Sequence, residues 1–196
     1  MPGIASNQSN RPYGIAYDSN SQRIFLADTN NNRVMSYKSG SIVGTVVAGG
    51  NSSGLHRSSL NLPYGLHFDS SSNSLIIANR GANNVVRWTL GQSTWDLIAG
   101  SPNGTNGNSS TNLNSPADVV LDSMGNVYVA DTGNHRVQFY FAGQSNGTTI
   151  AGTGISGTNA TSLNSPWSLA LDSQLNLYVA DTNNHRIQKF LILEDD

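Results

Sequence analysis

The chain has 196 residues, of which 11% are charged, and a net charge of −2, which excludes a sequence-wide basic footprint for nucleic acid. It contains no Cys, so disulfides and thiolate zinc sites are excluded. The opening "MPGIASNQSN" lacks a basic region followed by an apolar core, and no apolar run approaches the length of a membrane span, so neither a signal peptide nor a transmembrane segment is expected.

In chain order, the first apolar stretch follows a proline, "RPYGIAYD" at 11–18. It predicts a strand A over 14–18, followed by B over 23–28, C over 33–38 and D over 44–48. All are rich in Val, Ile, Leu, Tyr and Phe and are separated by Gly, Asn, Asp and Ser. The same four elements then return. "LPYGLHFD" (62–69), "IANRGANNVVRW" (77–88) and "DLIAGS" (96–101) make a second unit, and "SPADVVLD" (115–122), "VADTGNHRVQFY" (129–140) and "TTIAGT" (148–153) a third. "SPWSLALD" (165–172) and "VADTNNHRIQKF" (179–190) begin a fourth. The marker Ala27, Ala78, Ala130 and Ala180 recurs at intervals of 51, 52 and 50, which defines an array of repeats spanning approximately 11–49, 62–100, 115–152 and 165–193.

Strand B is apolar on both faces: in the third repeat Val127 and Val129 point one way, Tyr128 and Ala130 the other. Such a strand must be covered on both sides, and sheets stacked face to face around an axis achieve that. The expected fold is therefore all-β: one domain over 1–196, a β-propeller of four four-stranded antiparallel blades. Pro12, Pro63, Pro116 and Pro166 each stand just before strand A, where a missing N–H costs no ladder bond. The fourth repeat ends in "LILEDD" with no room for its own D strand. One reading pairs the segment "GIAS" at 3–6 there and closes a four-blade ring, although its linker to Pro12 is about eight residues shorter than the internal ones. The alternatives are an excerpt of a larger propeller, or a homodimer that completes the ring.

The stretches "ADTGNHRVQFY" and "ADTNNHRIQKF" resemble the core motif of NHL repeats, and "SPADVVLDSMGNVYVADTGNHRV" (115–137) resembles the fuller repeat. The second repeat departs most, with Asn79, Arg80 and Asn84 where the others carry Asp, Thr and Arg. The resemblance implies a propeller that presents a loop face for recognition. Members of the family also serve as substrate-recruiting ends of ubiquitin-ligase-like (tripartite-motif type) proteins, some bind RNA, and some are amidating lyases whose metal is held by several His near the axis.

The mixture of Asp, Arg and His in each B–C turn raises the question of chemistry or architecture. Asp28, Asp131 and Asp181 end strand B, and Arg33, Arg136 and Arg186 begin strand C, so each pair is expected to act as a turn clasp. The His position reads Asn32, Asn83, His135 and His185. A catalytic imidazole does not exchange with an amide, whereas a turn residue that only donates a hydrogen bond does. No catalytic residue, metal site or cofactor is expected, and the chain is not expected to be an enzyme. Six Asn-X-Ser/Thr sequons, at Asn7, Asn51, Asn103, Asn108, Asn146 and Asn159, are close to the number chance would give.

Recognition is expected from residues that vary between repeats at the entry to strand A: Arg11, Tyr13, Tyr64, Asp118 and Trp167. Aromatics with an Arg suit a protein interface. An RNA-binding face would draw on Arg11, Arg57 and Arg80 alone, which ranks RNA below protein. No membrane partner is expected.

Overall fold

A computed structural model describes residues 2–191. Blade 1 comprises β1 (Pro12–Asp18), β2 (Arg23–Asp28), β3 (Arg33–Lys38) and β4 (Thr45–Gly49). Blade 2 comprises β5 (Pro63–Asp69), β6 (Ser74–Asn79), β7 (Asn84–Thr89) and β8 (Asp96–Gly100). Blade 3 comprises β9 (Asp118–Leu121), β10 (Val127–Asp131), β11 (Arg136–Tyr140) and β12 (Thr148–Gly152), and blade 4 β13 (Pro166–Leu171), β14 (Leu177–Asp181) and β15 (Arg186–Phe190). Each sheet is antiparallel and runs in sequence order. The chain is thus an all-β propeller of four blades. Three sheets carry four strands, and the fourth carries three among the described residues. The end of the fourth repeat, 192–193, lies outside the described residues.

The blades stack through the faces of their B strands, blades 2 and 3 through both. Phe25, Ala27 and Val34 of blade 1 meet Leu66, Leu75 and Ile77 of blade 2 in one buried cluster. Ile76, Ala78 and Val85 meet Val119, Val127 and Val129 in a second, and Tyr128, Ala130 and Val137 meet Leu169, Leu177 and Val179 in a third. Burial of a Val, Leu, Ile or Phe side chain contributes roughly 1.5–3 kcal/mol, so these three seams hold the stack. The inner strands approach closely: Gly65 N donates to Ala117 O at 2.9 Å. A Cβ on Gly65 would stand 2.6 Å from Asp118 Cα and 2.8 Å from Ala117 O, so only glycine fits.

The expected pairing of residues 3–6 with blade 4 does not occur. That segment is a turn, not a strand. Gly3 O accepts from Asn31 Nδ2 at 2.8 Å, as Gly107 O does from Asn134 and Gly157 O from Asn184, also at 2.8 Å. Residues 3–8 therefore occupy the place of a D–A connection beside blade 1, and their resemblance to the Ala-Gly end of strand D is fortuitous. Among the described residues the four blades form an arc with three seams.

Candidate functional site

The Asp–Arg pairs are clasps, as their recurrence implies. Arg33 Nε donates to Asp28 Oδ2 at 2.7 Å, Arg136 Nε to Asp131 Oδ2 at 2.8 Å and Arg186 Nε to Asp181 Oδ2 at 2.7 Å. The outer guanidinium nitrogens reach the D–A loop that leads into the same blade: Ile4 O, Ala5 O and Gln8 O for Arg33, and Asn108 O, Ser109 O and Asn112 O for Arg136. Arg186 binds Thr158 O, Asn159 O and Ser162 O in the same manner. The other carboxylate oxygen accepts a loop N–H, from Asn10, Asn114 and Asn164 respectively, at 2.6–2.7 Å. Burial pushes the Asp131 carboxyl up, against the opposing pull of the Asn114 N–H, Asn134 and Arg136. In blade 2 the substituted pair still meets, Asn79 Nδ2 donating to Asn84 Oδ1 at 3.0 Å, and Asn79 Oδ1 still accepts the loop N–H of Asn61 at 2.7 Å.

The His position accepts hydrogen bonds rather than donating them. Asn32, Asn83, His135 and His185 all sit in the left-handed region, φ 51–52°, where Asn and His are enriched. Each of the first three side chains reaches the entry of the next blade. Asn32 Oδ1 accepts from Leu62 N at 2.9 Å, Asn83 Oδ1 from Ser115 N at 2.8 Å and His135 Nδ1 from Ser165 N at 3.0 Å. A second latch runs beside it: Thr29 Oγ1 donates to Pro63 O at 2.6 Å and Thr132 Oγ1 to Pro166 O at 2.7 Å. In blade 2, Arg80 Nη1 takes the Thr role and donates to Ser115 O at 2.8 Å.

Around the axis the strand-A entries converge. Tyr13 stacks on Tyr64 with ring centroids 4.3 Å apart, and Trp167 meets Tyr64 edge-on at 5.8 Å. The Arg80 guanidinium lies over both, 5.0 Å from Tyr64 and 4.9 Å from Trp167, a favourable cation–π placement. Blade 3 offers Ala117 at the position of Tyr13, Tyr64 and Trp167. Burial pushes the Tyr64 phenol up, reinforced by Tyr13 and opposed by Arg80 and Arg11. Tyr13, Tyr64 and Trp167 rim an open recess of ≈ 220 Å³ whose polar lining includes Asp118 and Ser168.

The structure thus brings Tyr13, Tyr64, Trp167 and Asp118 to one mouth. Asp118 is engaged in the seam between blades 3 and 4: its Oδ2 accepts from Ser168 Oγ at 2.7 Å and Leu169 N at 3.0 Å, and its Oδ1 from Val119 N at 2.9 Å. Burial raises its carboxyl pKa, against those three hydrogen bonds. Arg11 is exposed beside the mouth at φ 50°. Arg57 lies elsewhere, on Trp95 O and paired with Asp96. Arg80 is the member that sequence reasoning placed only as a departure from the repeat and an RNA candidate; the signal was a long cation at a position otherwise held by Thr. His67, half-buried, lines a separate recess with Asp69 and Asp122, and burial lowers its pKa, opposed by Asp69. Among the described residues no group of three or more His, Asp or Glu side chains is placed to hold a metal ion. No helix among them is long and apolar enough to cross a membrane.

The family model for the NHL repeat matches residues 113–140 and 163–190, the first three strands of blades 3 and 4 and the loops that lead into them. None of the curated proteins matches the chain in sequence. Among solved structures, the chain is similar to an auxiliary nutrient binding protein from Bacteroides ovatus, with TM-score 0.71 and 17% identity over 93% of this chain and 48% of that one. It is similar to a gluconolactonase from Xanthomonas campestris, with TM-score 0.73 and 18% identity over 96% of this chain and 61% of that one. It is also similar to a streptogramin B lyase, with TM-score 0.66 and 13% identity over 98% of this chain and 54% of that one. The chain therefore spans roughly half of the length of these structures. These likenesses correct the expectation that the chain is not an enzyme: the fold is shared with a lactonase and a lyase, so the lack of a legible catalytic motif does not exclude catalysis.

Proposed function

We propose that the chain is a binding module that recognises a protein partner through the axial mouth formed by Tyr13, Tyr64, Arg80 and Trp167. The observation that carries this reading is the aromatic tier itself. Two stacked tyrosines, an edge-on tryptophan and an interleaved guanidinium are gathered from blades 1, 2 and 4, with Tyr13 still 47% exposed. Rigid aromatics and Arg offer large contact area at small entropic cost and dominate protein interfaces. The recess of ≈ 220 Å³ falls below the roughly 300–1,000 Å³ of a typical small-molecule cleft, which favours contact with a surface over engulfing a ligand. Its balance of aromatic and polar groups, with one free-standing Arg at its edge, suits protein better than a phosphate backbone.

The test is affinity capture on the immobilised chain beside Tyr64→Ala and Trp167→Ala, each verified as folded by its far-ultraviolet spectrum. A partner retained by the native chain and lost by both variants is expected. A partner retained equally by all three removes the mouth from recognition.

A further inference from the structure

The seam between blades 2 and 3 is complete within the chain, since blade 1 covers the other face of blade 2 and blade 4 the other face of blade 3. At the end of this seam away from the mouth, the turn that joins β5 to β6 and the turn that follows β11 border a recess of ≈ 400 Å³. That volume lies within the roughly 300–1,000 Å³ of a small-molecule cleft. Leu97, Ile98 and Val127 give the recess an aliphatic wall, and Arg87 and Asp96 also line it.

Arg87 and Asp96 are direct partners in the ladder between β7 and β8. Side chains so placed share a face, with Cβ atoms about 5 Å apart, and opposite charges there attract. Yet these two do not pair. Arg87 Nη1 donates to Asp69 Oδ2 at 3.1 Å and to Ser72 Oγ at 2.6 Å, while Asp96 Oδ1 accepts from Arg57. Among the described residues, Arg87 Nε and Nη2 and Asp96 Oδ2 have no hydrogen-bond partner. The clasp residue Arg136, by contrast, uses Nε, Nη1 and Nη2. Neither residue is repeated: Arg87 stands where the other blades carry Ser36, Phe139 and Lys189, and Asp96 where they carry Thr45 and Thr148. Asp69 and Ser72 thus hold a guanidinium whose remaining donors form a fork suited to a carboxylate.

We propose that this recess binds a free α-amino acid with an aliphatic side chain. Arg87 takes the carboxylate, Asp96 takes the ammonium, and Leu97, Ile98 and Val127 receive the side chain. The charges already at the site, those of Arg87, Arg57, Asp69 and Asp96, cancel, so a zwitterion enters without leaving a net charge, unlike a simple anion or cation. The Arg57 and Asp96 side chains are 60% and 72% exposed. An ion pair that open contributes little, so Asp96 turns to an ammonium at small cost.

Saturation-transfer NMR over about 0.1–10 mM ligand tests this with leucine, with isocaproate, which lacks the ammonium, and with isoamylamine, which lacks the carboxylate. Leucine is expected to bind about tenfold more tightly than either. Arg87→Ser and Asp96→Thr install the residues of blade 1, Ser36 and Thr45, and an unchanged far-ultraviolet spectrum confirms folding. Each is expected to weaken leucine about tenfold or more. No transfer to leucine from the native chain up to about 10 mM overturns the proposal. So does isocaproate or isoamylamine binding as tightly as leucine, or leucine binding that survives both substitutions. The recess shares no residue with the mouth, so the two sites stand or fall separately.

Discussion

His135 Nδ1 accepts the backbone N–H of Ser165 at 3.0 Å across the seam between blades 3 and 4. The same bond is made by Asn32 and Asn83 with their amide oxygens. Asn and His are interchangeable here because both place an acceptor at that distance from a left-handed backbone. His135→Asn is therefore expected to change unfolding free energy by no more than about 0.5 kcal/mol, while His135→Ala costs about 1–2 kcal/mol by leaving the Ser165 N–H without its acceptor. Urea unfolding of the two variants separates them, and equal losses would show that the acceptor has no energetic role.

Arg80 both latches blade 3 through Ser115 O and lies over Tyr64 and Trp167. Arg80→Thr restores the side chain that blades 1, 3 and 4 use at this position. The expected outcome is a stability change within about 1 kcal/mol, from an exchange of one hydrogen bond for another and loss of a partly buried cation–π contact. Partner capture is expected to fall nonetheless. A variant that captures as well as the native chain would restrict Arg80 to the latch.

Gly65 is the point of closest approach between the inner strands of blades 2 and 3. Gly65→Ala would drive a methyl into backbone, so a loss of about 1–3 kcal/mol is expected. A thermal unfolding midpoint equal to that of the native chain would show that the inner strands separate at little cost.

Asp69 gives the chain an acid-sensitive element. Burial pushes its carboxyl up, but the Ser71 and Ser72 hydroxyls, the Ser71 N–H and Arg87 outweigh burial and hold it well below the usual carboxylate range. A carboxyl depressed in the folded state contributes stability that is present above its unfolded pKa and is lost as pH falls through the folded one. Asp69→Asn is expected to be less stable than the native chain by about 1–2 kcal/mol at pH 7, a gap that narrows steadily below about pH 4. Unfolding curves at a series of pH values check this, and a gap independent of pH would assign the loss to packing.

The fold was legible because its unit is written four times, and a strand B apolar on both faces, as in blades 2 and 3, calls for a sheet on each side. The clasps were legible for the same reason: Asp131 and Arg136 are five residues apart and meet within one hairpin. The latches were not. The acceptor role of His135 depends on Ser165, thirty residues onward at the end of a loop whose path no periodicity specifies. Residues 3–6 misled because a short Ile-Ala-containing stretch reads alike as the end of strand D and as a D–A turn; the Asn31 bond to Gly3 O and the Arg33 bonds to Ile4 O and Ala5 O decide between them. At the mouth, Tyr13, Tyr64 and Trp167 could be found from their variation. Asp118 could not be seen to be spent on Ser168 and Leu169, because that use depends on how close blade 4 comes.

The central claim is a division of labour, in which polar groups repeated in every blade hold the arc together and the unrepeated aromatics of the mouth are left for recognition. Equilibrium unfolding of Asp131→Ala beside Tyr13→Ala tests it most directly. Asp131 is fully buried and Arg136 is 8% exposed at its side chain, so removing the carboxylate leaves a buried charge unpaired and is predicted to cost about 3–5 kcal/mol. Tyr13→Ala is predicted to cost about 1 kcal/mol or less, the loss of one partly exposed stack. A Tyr13→Ala loss equal to or greater than that of Asp131→Ala would contradict the account.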